Sequence, residues 1–391
     1  MKRSSNERKK ILIFSEYYLP GYKSGGGMRT IVNIVASLKD RFDFYVVTKD
    51  HDGRSDKTPY KNVKINEWNN VEGAKVFYLS KSNIKVNKIL ELIRNVRPNI
   101  LYSNSYFSVF NMYLLGLNKL GKFNSSTYLI SPCGELSEGA LEVSFYKKYL
   151  FMFLAKILKL HRRIVWKATN ETEKNEIEHL RVESGKIFVA PDLSAKNITD
   201  ETKKIEKPEK KAGSVRFVFL SRFSEKKNFK FFLENLGEIK GDVKIDIYAP
   251  IDVPSYWEKC LEEIKKLPEN IRVEAKIPVE HSEVHDTLLQ YHFFVMPTLG
   301  ENFGHAVLEA LSAGCPLLLS NRTPWLNLAV KKIGWDLPLE DRAIWKRTIQ
   351  KCVEMNQTEY TVLSENSKKF ASEWFDKNDL VKMTIELFDN A

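Results

Sequence analysis

The sequence predicts an α/β protein of two domains, each built on a mostly parallel sheet, and three observations support this. Each half opens with a strand that leads through a polar loop into a helix. In the first half Ile11–Phe14 precedes the helical pattern Met28–Leu38, and in the second Val215–Leu220 precedes Phe229–Leu236. Strand-like and helix-like segments alternate along most of the chain. Its 391 residues are also long for one core and comfortable for two.

The remaining strand candidates follow in order and support the same architecture. They are short apolar runs, and they span 44–48, 100–103, 127–131, 187–190, 244–248, 293–296 and 316–320. Strands that alternate with helices form parallel sheets, and such sheets bind ligands beyond the carboxyl ends of their strands. We therefore expect the functional residues in loops that directly follow strands.

The domain boundary is predicted where hydrophobic residues become rare. Between residues 194 and 213 the chain is dominated by Lys, Glu, Asp and Thr, which is typical of a linker. The predicted organisation is an N-terminal domain, a linker, a C-terminal domain and a final helix that could cross back to the first domain, over 1–195, 196–213, 214–370 and 371–391.

Positive charge is concentrated in the first half of the chain. The whole chain has a net charge of +11. Residues 1–200 hold 33 Lys and Arg against 20 Asp and Glu, whereas residues 201–391 hold 28 against 30. Such asymmetry suggests that the first half faces a polyanion. No nucleic-acid-binding signature is present, so no nucleic acid is expected, and an anionic membrane surface is the favoured partner of the basic half.

The sequence favours a cytoplasmic protein without a structural metal. No apolar run reaches the roughly 18–20 residues that span a bilayer, and the first ten residues are polar with no signal-peptide core after them. The cysteines have no metal-type spacing, and they are Cys133, Cys260, Cys315 and Cys352.

The segment 145–163 combines bulky apolar side chains with lysines and arginines. Two interpretations fit it equally well. It could be an interfacial helix that touches anionic lipid, or a core-facing helix whose cations extend to solvent.

The most informative segment is 297–316, which contains Glu301 and Glu309 seven residues apart. An apolar strand feeds a loop with Glu301 and then a helix with Glu309, which ends near Gly314. The free N–H groups at the start of such a helix form a natural phosphate site. Carboxylates beside it suit the hydroxyls of a sugar or ribose. Because Glu309 interrupts an apolar helix, it needs a partner.

Two other loops after strands carry ligand-binding chemistry. Gly25, Gly26 and Gly27 allow backbone N–H groups to approach a ligand closely, although they match no Walker or dinucleotide fingerprint. In the second half, Arg222 and Lys227 lie between a strand and a helix, and such cations neutralise a diphosphate. Two alternatives remain open: the glycine loop could be a simple turn, and the loop with Arg222 and Lys227 could be a solvated basic loop.

The stretch from Glu301 to Pro316 resembles the Glu-x7-Glu signature of glycosyltransferase family 4. These are retaining enzymes of the GT-B fold, which has two Rossmann-like domains facing an interdomain cleft. The resemblance implies that Glu301 holds the donor sugar and Glu309 the ribose, and that Arg222 and Lys227 bind the diphosphate without a metal. It also implies further donor contacts, from the backbone of Asn302, Phe303 and Gly304 and from the glycines Gly25, Gly26 and Gly27.

The segment Ile130–Leu141 is similar to another family stretch, but Cys133 stands where relatives often have a basic residue. Glu135 in this segment, and Asn104 after an earlier strand, are candidates for contact with the acceptor or the cleft. A cap or turn role for either is equally compatible with the sequence.

By this resemblance the chain moves a sugar with retention from a UDP- or GDP-sugar to a glycan or lipid-linked glycan in bacterial surface polysaccharide synthesis. The N-terminal domain would hold the acceptor, and the enzyme would be cytoplasmic or peripheral at the inner face of the plasma membrane. Two alternatives stay open: a GT-B nucleotide-sugar epimerase, and a non-catalytic subunit that binds nucleotide-sugar or docks at a membrane.

Overall fold

The α/β class predicted from the sequence is confirmed by a computed structural model, which describes residues 7–22, 25–53, 56–123, 125–142, 144–180, 185–194, 205, 207–251 and 253–391. The chain forms two compact units. Unit 1 comprises Met1–Ser194 and Asp379–Ala391, and unit 2 comprises Ala195–Asn378. Much of the predicted linker, namely residues 196–204 and 206, lies outside the described residues.

Unit 1 is built on a sheet of eight strands within the described residues. They are β1 (Lys10–Ser15), β2 (Asp43–Lys49), β3 (Trp68–Val71), β4 (Ala74–Leu79), β5 (Ile100–Asn104), β6 (Thr127–Ser131), β7 (Ile164–Ala168) and β8 (Ile187–Val189). Their order is β3-β4-β2-β1-β5-β6-β7-β8. All neighbours are parallel except β3 and β4, which form an antiparallel edge.

Helices connect most of the consecutive parallel strands of unit 1, whereas the chain passes from β2 to β4 through the antiparallel strand β3. They are α1 (Gly26–Leu38), α2 (Val86–Val96), α3 (Val109–Lys119), α4 (Glu138–Glu142), α5 (Phe145–Ile157) and α6 (Glu171–His179). Helix α1 buries Ile31, Val35 and Leu38, at the spacing that the sequence predicted.

Unit 2 repeats the plan with six described strands, all paired in parallel. They are β9 (Ser214–Leu220), β10 (Asp242–Tyr248), β11 (Ile271–Lys276), β12 (Phe293–Met296), β13 (Leu317–Ser320) and β14 (Gly334–Leu337), in the order β11-β10-β9-β12-β13-β14. The helices are α7 (Phe229–Glu234), α8 (Pro254–Ile264), α9 (Val284–Leu288), α10 (His305–Ser312), α11 (Arg342–Glu354) and α12 (Gln357–Lys377).

The end of the chain is divided between the two units. Helix α12 continues to Lys377 in unit 2, beyond the predicted boundary at residue 370, because Ala371 is buried in the core of that unit. The final helix, α13 (Leu380–Asn390), belongs to unit 1. There the ring of Phe388 lies 5.5 Å from that of Phe42. The predicted return of the chain therefore involves only its last helix.

Each sheet has one point where the strand order reverses. In unit 1 the chain fills one side outward from β1 and then starts the other side with β5; in unit 2 the same happens between β9 and β12. The loops that leave two such strands diverge to opposite faces and open a crevice, which is the usual ligand site of these sheets. The predicted site residues fall mainly in the loops after these four strands.

Candidate functional site

In unit 2, the loops after β9 and β12 lie side by side at the reversal point. The backbone N–H of Leu299 donates to the carbonyl oxygen of Lys226 over 2.8 Å, and the hydroxyl of Thr298 donates to the same oxygen over 3.1 Å. The two predicted donor-binding segments are therefore joined by hydrogen bonds.

Lys227 and Glu301 form an ion pair across these two loops. The Lys227 Nζ contacts Glu301 Oε2, and the side chains are only 13% and 14% exposed. Burial raises the pKa of Glu301, but the charges of Lys227 and Lys226 and the hydrogen bonds outweigh it, so the pKa is lowered from its usual value. The pair thus places one cation and one carboxylate at the reversal point.

Arg222 follows the same strand but has a different environment. Its side chain is exposed, and its guanidinium makes no ion pair with a described residue. Lys227 lies in a single 3-10 turn, Glu225–Lys227, directly before α7. The two cations that the sequence assigned to a diphosphate therefore lie in one loop. Lys227 already forms an ion pair with Glu301, whereas Arg222 is available to an anion.

The start of α10 lies against Glu301. Gly304 caps the helix with a φ of 79°, a left-handed conformation that suits glycine. A Cβ atom at this position would lie 3.1 Å from Cγ of Glu301. The helix N-terminus, which favours anions, and the Glu301 side chain therefore share one small region.

Phe303 belongs to the core. It is 5% exposed, and its ring packs on Trp325 and Trp374. Its carbonyl oxygen accepts a hydrogen bond of 2.5 Å from Nε1 of Trp325. Trp325 thus anchors the loop between the two glutamates, and the sequence analysis missed it. The predicted donor contacts through the backbone of Asn302, Phe303 and Gly304 stay predictions.

Replacing Trp325 with Phe is expected to lower the free energy of unfolding by about 1–3 kcal/mol, because the Phe303 carbonyl would lose its buried donor. Urea denaturation measures this loss. Trp68→Phe is the matched control, since Trp68 packs on Tyr45 and Phe77 without a described hydrogen bond from its ring nitrogen. Equal losses for the two variants would contradict the anchoring role.

Glu309 is buried in α10, at 7% exposure, as its apolar neighbours predicted. Its Oε1 lies 3.5 Å from Nδ1 of His281, a residue just before α9. His281 is therefore the partner that a buried carboxylate at Glu309 was expected to need. No spacing among the histidines pointed to it.

In unit 1, the loops after β1 and β5 are also joined at the reversal point. Asn104 donates from Nδ2 to the carbonyl oxygen of Gly27 over 2.8 Å. Gly25 has a φ of 71° and ψ of −146°, which a residue with a side chain rarely adopts. Gly25, Gly26 and Gly27 thus lead into α1 beside Asn104; Lys23 and Ser24 of the same loop lie outside the described residues.

Cys133 extends this contact. Its Sγ lies 3.1 Å from Oδ1 of Asn104, and burial raises its thiol pKa well above the usual value. The thiol therefore stays protonated and donates its hydrogen. Cys133 is thus a neutral donor that orients Asn104.

Glu135 organises the loop after β5. It accepts hydrogen bonds from the hydroxyl of Ser105 and from the backbone N–H groups of Tyr106 and Phe107, at 2.8, 2.7 and 3.0 Å. Burial raises its pKa despite these bonds. Glu135 therefore caps the loop formed by residues 105–107, which precedes it in the chain. A capping role was one of the two that the sequence left open for this residue.

Beneath these loops, unit 1 contains polar contacts that the sequence analysis missed. Lys167 of β7 donates to Asp192 over 2.6 Å, and the two side chains are 1% and 7% exposed. Glu173 accepts from the backbone N–H groups of Gly134 and Thr169 over 2.6 and 2.8 Å. The contacts of Glu173 tie Gly134, directly after Cys133, to the end of β7.

The part of the chain that the structure describes contains no cluster of three or more His, Cys, Asp or Glu side chains suited to a metal ion. The four cysteines are free. The arrangement offers instead cations, carboxylates and backbone N–H groups at the reversal points of two parallel sheets. These are groups that bind the phosphates and hydroxyls of a nucleotide-sugar.

Comparisons with known proteins agree with a fold and a site of the kind that binds nucleotide-sugars. The family "Glycosyl transferases group 1" matches residues 200–370, which cover most of unit 2. A search of curated protein sequences gave no match. Over nearly the full length, the chain is similar to sucrose-phosphate synthase from Thermosynechococcus elongatus, with 14% identity, a TM-score of 0.73, and 98% of this chain and 99% of that chain covered.

Two further solved structures have the same architecture. Anabaena HepE in complex with UDP-glucose has 13% identity and a TM-score of 0.67, with 97% and 98% of the two chains covered. WaaG, a glycosyltransferase involved in lipopolysaccharide biosynthesis, has 12% identity and a TM-score of 0.65, with 96% and 99% covered. The fold is GT-B, and together with the matched domain it supports a glycosyltransferase.

Proposed function

We propose that this chain is a retaining glycosyltransferase of family 4 that takes a sugar from a UDP- or GDP-sugar. The observation that carries the proposal is the Lys227–Glu301 ion pair at the reversal point of the unit 2 sheet. A diphosphate would bind Lys227 and the exposed Arg222, and the sugar hydroxyls would bind Glu301. HepE, which shares the fold, was solved with UDP-glucose.

The other predicted donor-binding residues have roles in the same proposal. Glu309 would bind the ribose hydroxyls, and the N–H groups from Asn302 to Gly304 and from Gly25 to Gly27 would bind donor oxygens. Arg222 and Lys227 would stabilise the negative charge that grows on the departing nucleoside diphosphate, without a metal. The acceptor oxygen would bond to the anomeric carbon on the face that the diphosphate leaves, and its proton would pass to the departing phosphate oxygen.

We propose that the acceptor is a glycan or lipid-linked glycan of a bacterial surface polysaccharide, presented by unit 1 near Asn104 and Glu135. The basic first half of the chain supports a cytoplasmic enzyme held peripherally at an anionic membrane surface. Among the described residues, every helix is too short or too polar to cross a bilayer.

A panel of UDP, GDP, ADP and their sugars tests the proposal by thermal unfolding. A ligand at about 100 times its Kd stabilises the folded protein by about 2.7 kcal/mol, so UDP or GDP and the matching sugar should raise Tm by several degrees. No shift with any of them would refute nucleotide-sugar binding. Incubation of the protein with the nucleotide-sugar that binds tests the epimerase separately. An isomerised nucleotide-sugar with no release of free nucleotide would indicate that activity.

Replacing Glu301 with Ala is expected to abolish sugar transfer while the protein stays folded, because the donor sugar would lose its carboxylate. Acceptor-dependent release of nucleotide measures turnover, and circular dichroism verifies the fold. Glu238→Ala is the matched control, since this carboxylate forms an exposed ion pair with Lys346 and lies before the amino end of β10, away from the loops that follow the strands. Unchanged turnover in Glu301→Ala would refute the assignment.

A further inference from the structure

Helix α5 of unit 1 turns most of its apolar surface outward. Only Ala155 of its 13 residues is buried. Tyr146, Leu150, Phe153 and Ile157 are 86%, 59%, 60% and 59% exposed. Other large apolar side chains that are exposed on or next to the helix are Phe145, Tyr149, Leu154 and Leu158. Contiguous apolar surface of this kind marks an interaction site.

The exposed residues form one stripe. Tyr146, Leu150, Phe153 and Ile157 follow the spacing i, i+4, i+7, i+11, which places them along one face of a helix. The opposite face already has its partners: the ring of Phe151 lies 5.5 Å from that of Tyr106. The outward stripe is therefore additional to the face that packs on unit 1.

Positive charge borders the stripe. At about 100° per residue, Lys147 and Lys156 lie on opposite sides of it, and both are exposed. Lys159, Arg162 and Arg163 follow the helix and are exposed as well. From residue 144 to residue 163 the chain has no Asp or Glu. This charge pattern is complementary to a negatively charged surface.

We propose that α5 docks unit 1 on an anionic lipid bilayer. The helix would lie flat, with the stripe at the boundary between headgroups and acyl chains and with Lys147 and Lys156 at the level of the lipid phosphates. Its length of about 20 Å and its apolar face flanked by cations suit this position. A second copy of the chain fits this face less well, because its own cations would meet those of the first copy.

This inference deepens the membrane part of the proposed function, since a lipid-linked acceptor would lie at the same surface. Binding to vesicles needs neither donor nor acceptor. The docking of α5 can therefore be tested separately from sugar transfer.

The experiment measures co-sedimentation of the full chain with vesicles of equal parts phosphatidylglycerol and phosphatidylcholine, and with vesicles of phosphatidylcholine alone. The parent should bind the first far more tightly than the second, and added salt should weaken the binding. Leu150→Ser/Phe153→Ser/Ile157→Ser should weaken it by more than about 100-fold. The matched control is Ile277→Ser/Val330→Ser, which changes two exposed apolar residues of unit 2.

The charge contribution is tested with Lys147→Gln/Lys156→Gln, which should weaken vesicle binding about 25-fold, at roughly fivefold per lysine. Lys61→Gln/Lys240→Gln removes the same charge from exposed positions, one before β3 at the other end of the unit 1 sheet from β7 and one in unit 2, and should retain near-parent binding. Unchanged thermal unfolding of each variant verifies that these surface changes leave the fold intact.

Three results would overturn the docking proposal: no binding to the anionic vesicles, equal binding to both vesicle types, or parent-like binding by the α5 triple variant. A lipid-free dimer that the triple variant abolishes would identify the face as a self-association surface instead. Because stabilisation by the panel of UDP, GDP, ADP and their sugars is measured on the same proteins, vesicle binding without a response to any of them would refute the transferase and leave the docking of α5 standing.

Discussion

Replacing Lys227 with Met is expected to have two separable effects. Sugar transfer should fall by about 10²–10³-fold in kcat/KM, because a cation that stabilises the leaving diphosphate is lost. The free energy of unfolding should also fall by about 3 kcal/mol, because Glu301 would remain as a largely buried carboxylate without its cation. Acceptor-dependent nucleotide release measures the first effect, and urea denaturation measures the second.

The double variant Lys227→Met/Glu301→Gln separates these effects. It leaves no uncompensated charge, so most of the lost stability should return while transfer stays at or below the level of Lys227→Met. Lys346→Met is the control: its ion pair with Glu238 is exposed, so it should cost less than about 1 kcal/mol and leave transfer unchanged. A double variant as inactive and as unstable as Lys227→Met would contradict the electrostatic explanation.

The pH dependence of stability follows from the same pair. In the folded protein the pKa of Glu301 lies below its usual value of 4.5. Ionised Glu301 therefore stabilises the fold at pH values above the pKa that Glu301 has in the unfolded chain. This stabilisation is lost as the pH falls through the lower pKa that Glu301 has in the folded protein. The stability of the parent should accordingly decline more steeply below about pH 5 than that of the double variant, in urea titrations at neutral pH and at about pH 4.

The sequence predicted nine of the fourteen described strands, because each of these nine is a short apolar run between turn residues. Every strand that it named is present within two residues of its predicted bounds. Both ends of the Lys227–Glu301 contact were also predictable, since each lies in a loop after a strand. The contact itself was not, because the β12 loop reaches the β9 loop only once the sheet places the two strands together.

The residues that sequence reasoning missed owe their roles to distant parts of the chain. Trp325 follows β13, yet it supports a loop that follows β12. His281 lies before α9, yet it contacts a carboxylate in α10. Five described strands were not predicted, and they are β3, β4, β7, β11 and β14. The antiparallel edge strand β3 has little signal, since Trp68-Asn-Asn-Val71 is neither apolar nor clearly alternating.

One missed feature did have a signal in the sequence. The rule that identified Glu309, that a charge within an apolar segment needs a partner, applies equally to Lys167 in the strand Ile164-Val-Trp-Lys-Ala168. The structure supplies Asp192 as that partner. Its identity could not be read from the sequence, because β7 and β8 must pair before the loop after β8 brings Asp192 to the lysine.

Lys167→Met is expected to lower the free energy of unfolding by about 3–5 kcal/mol, because Asp192 would be left buried without its cation. Asp192 raises the pKa of Lys167 above its usual value of 10.5 despite the opposing effect of burial. The stabilisation is therefore fully present below that pH and is lost only as the pH rises through the folded pKa. Urea denaturation at neutral pH measures the full effect.

The control and the rescue variant isolate the buried charge. Arg322→Met breaks an ion pair of similar length, 2.6 Å, but its side chains are 42% and 66% exposed, so the expected loss is below about 1 kcal/mol. Lys167→Met/Asp192→Leu removes both buried charges and should recover much of the loss. If Lys167→Met cost no more than Arg322→Met, the buried pair would not hold the β7 and β8 segments together. The loops around Cys133 and Asn104 would then need another support.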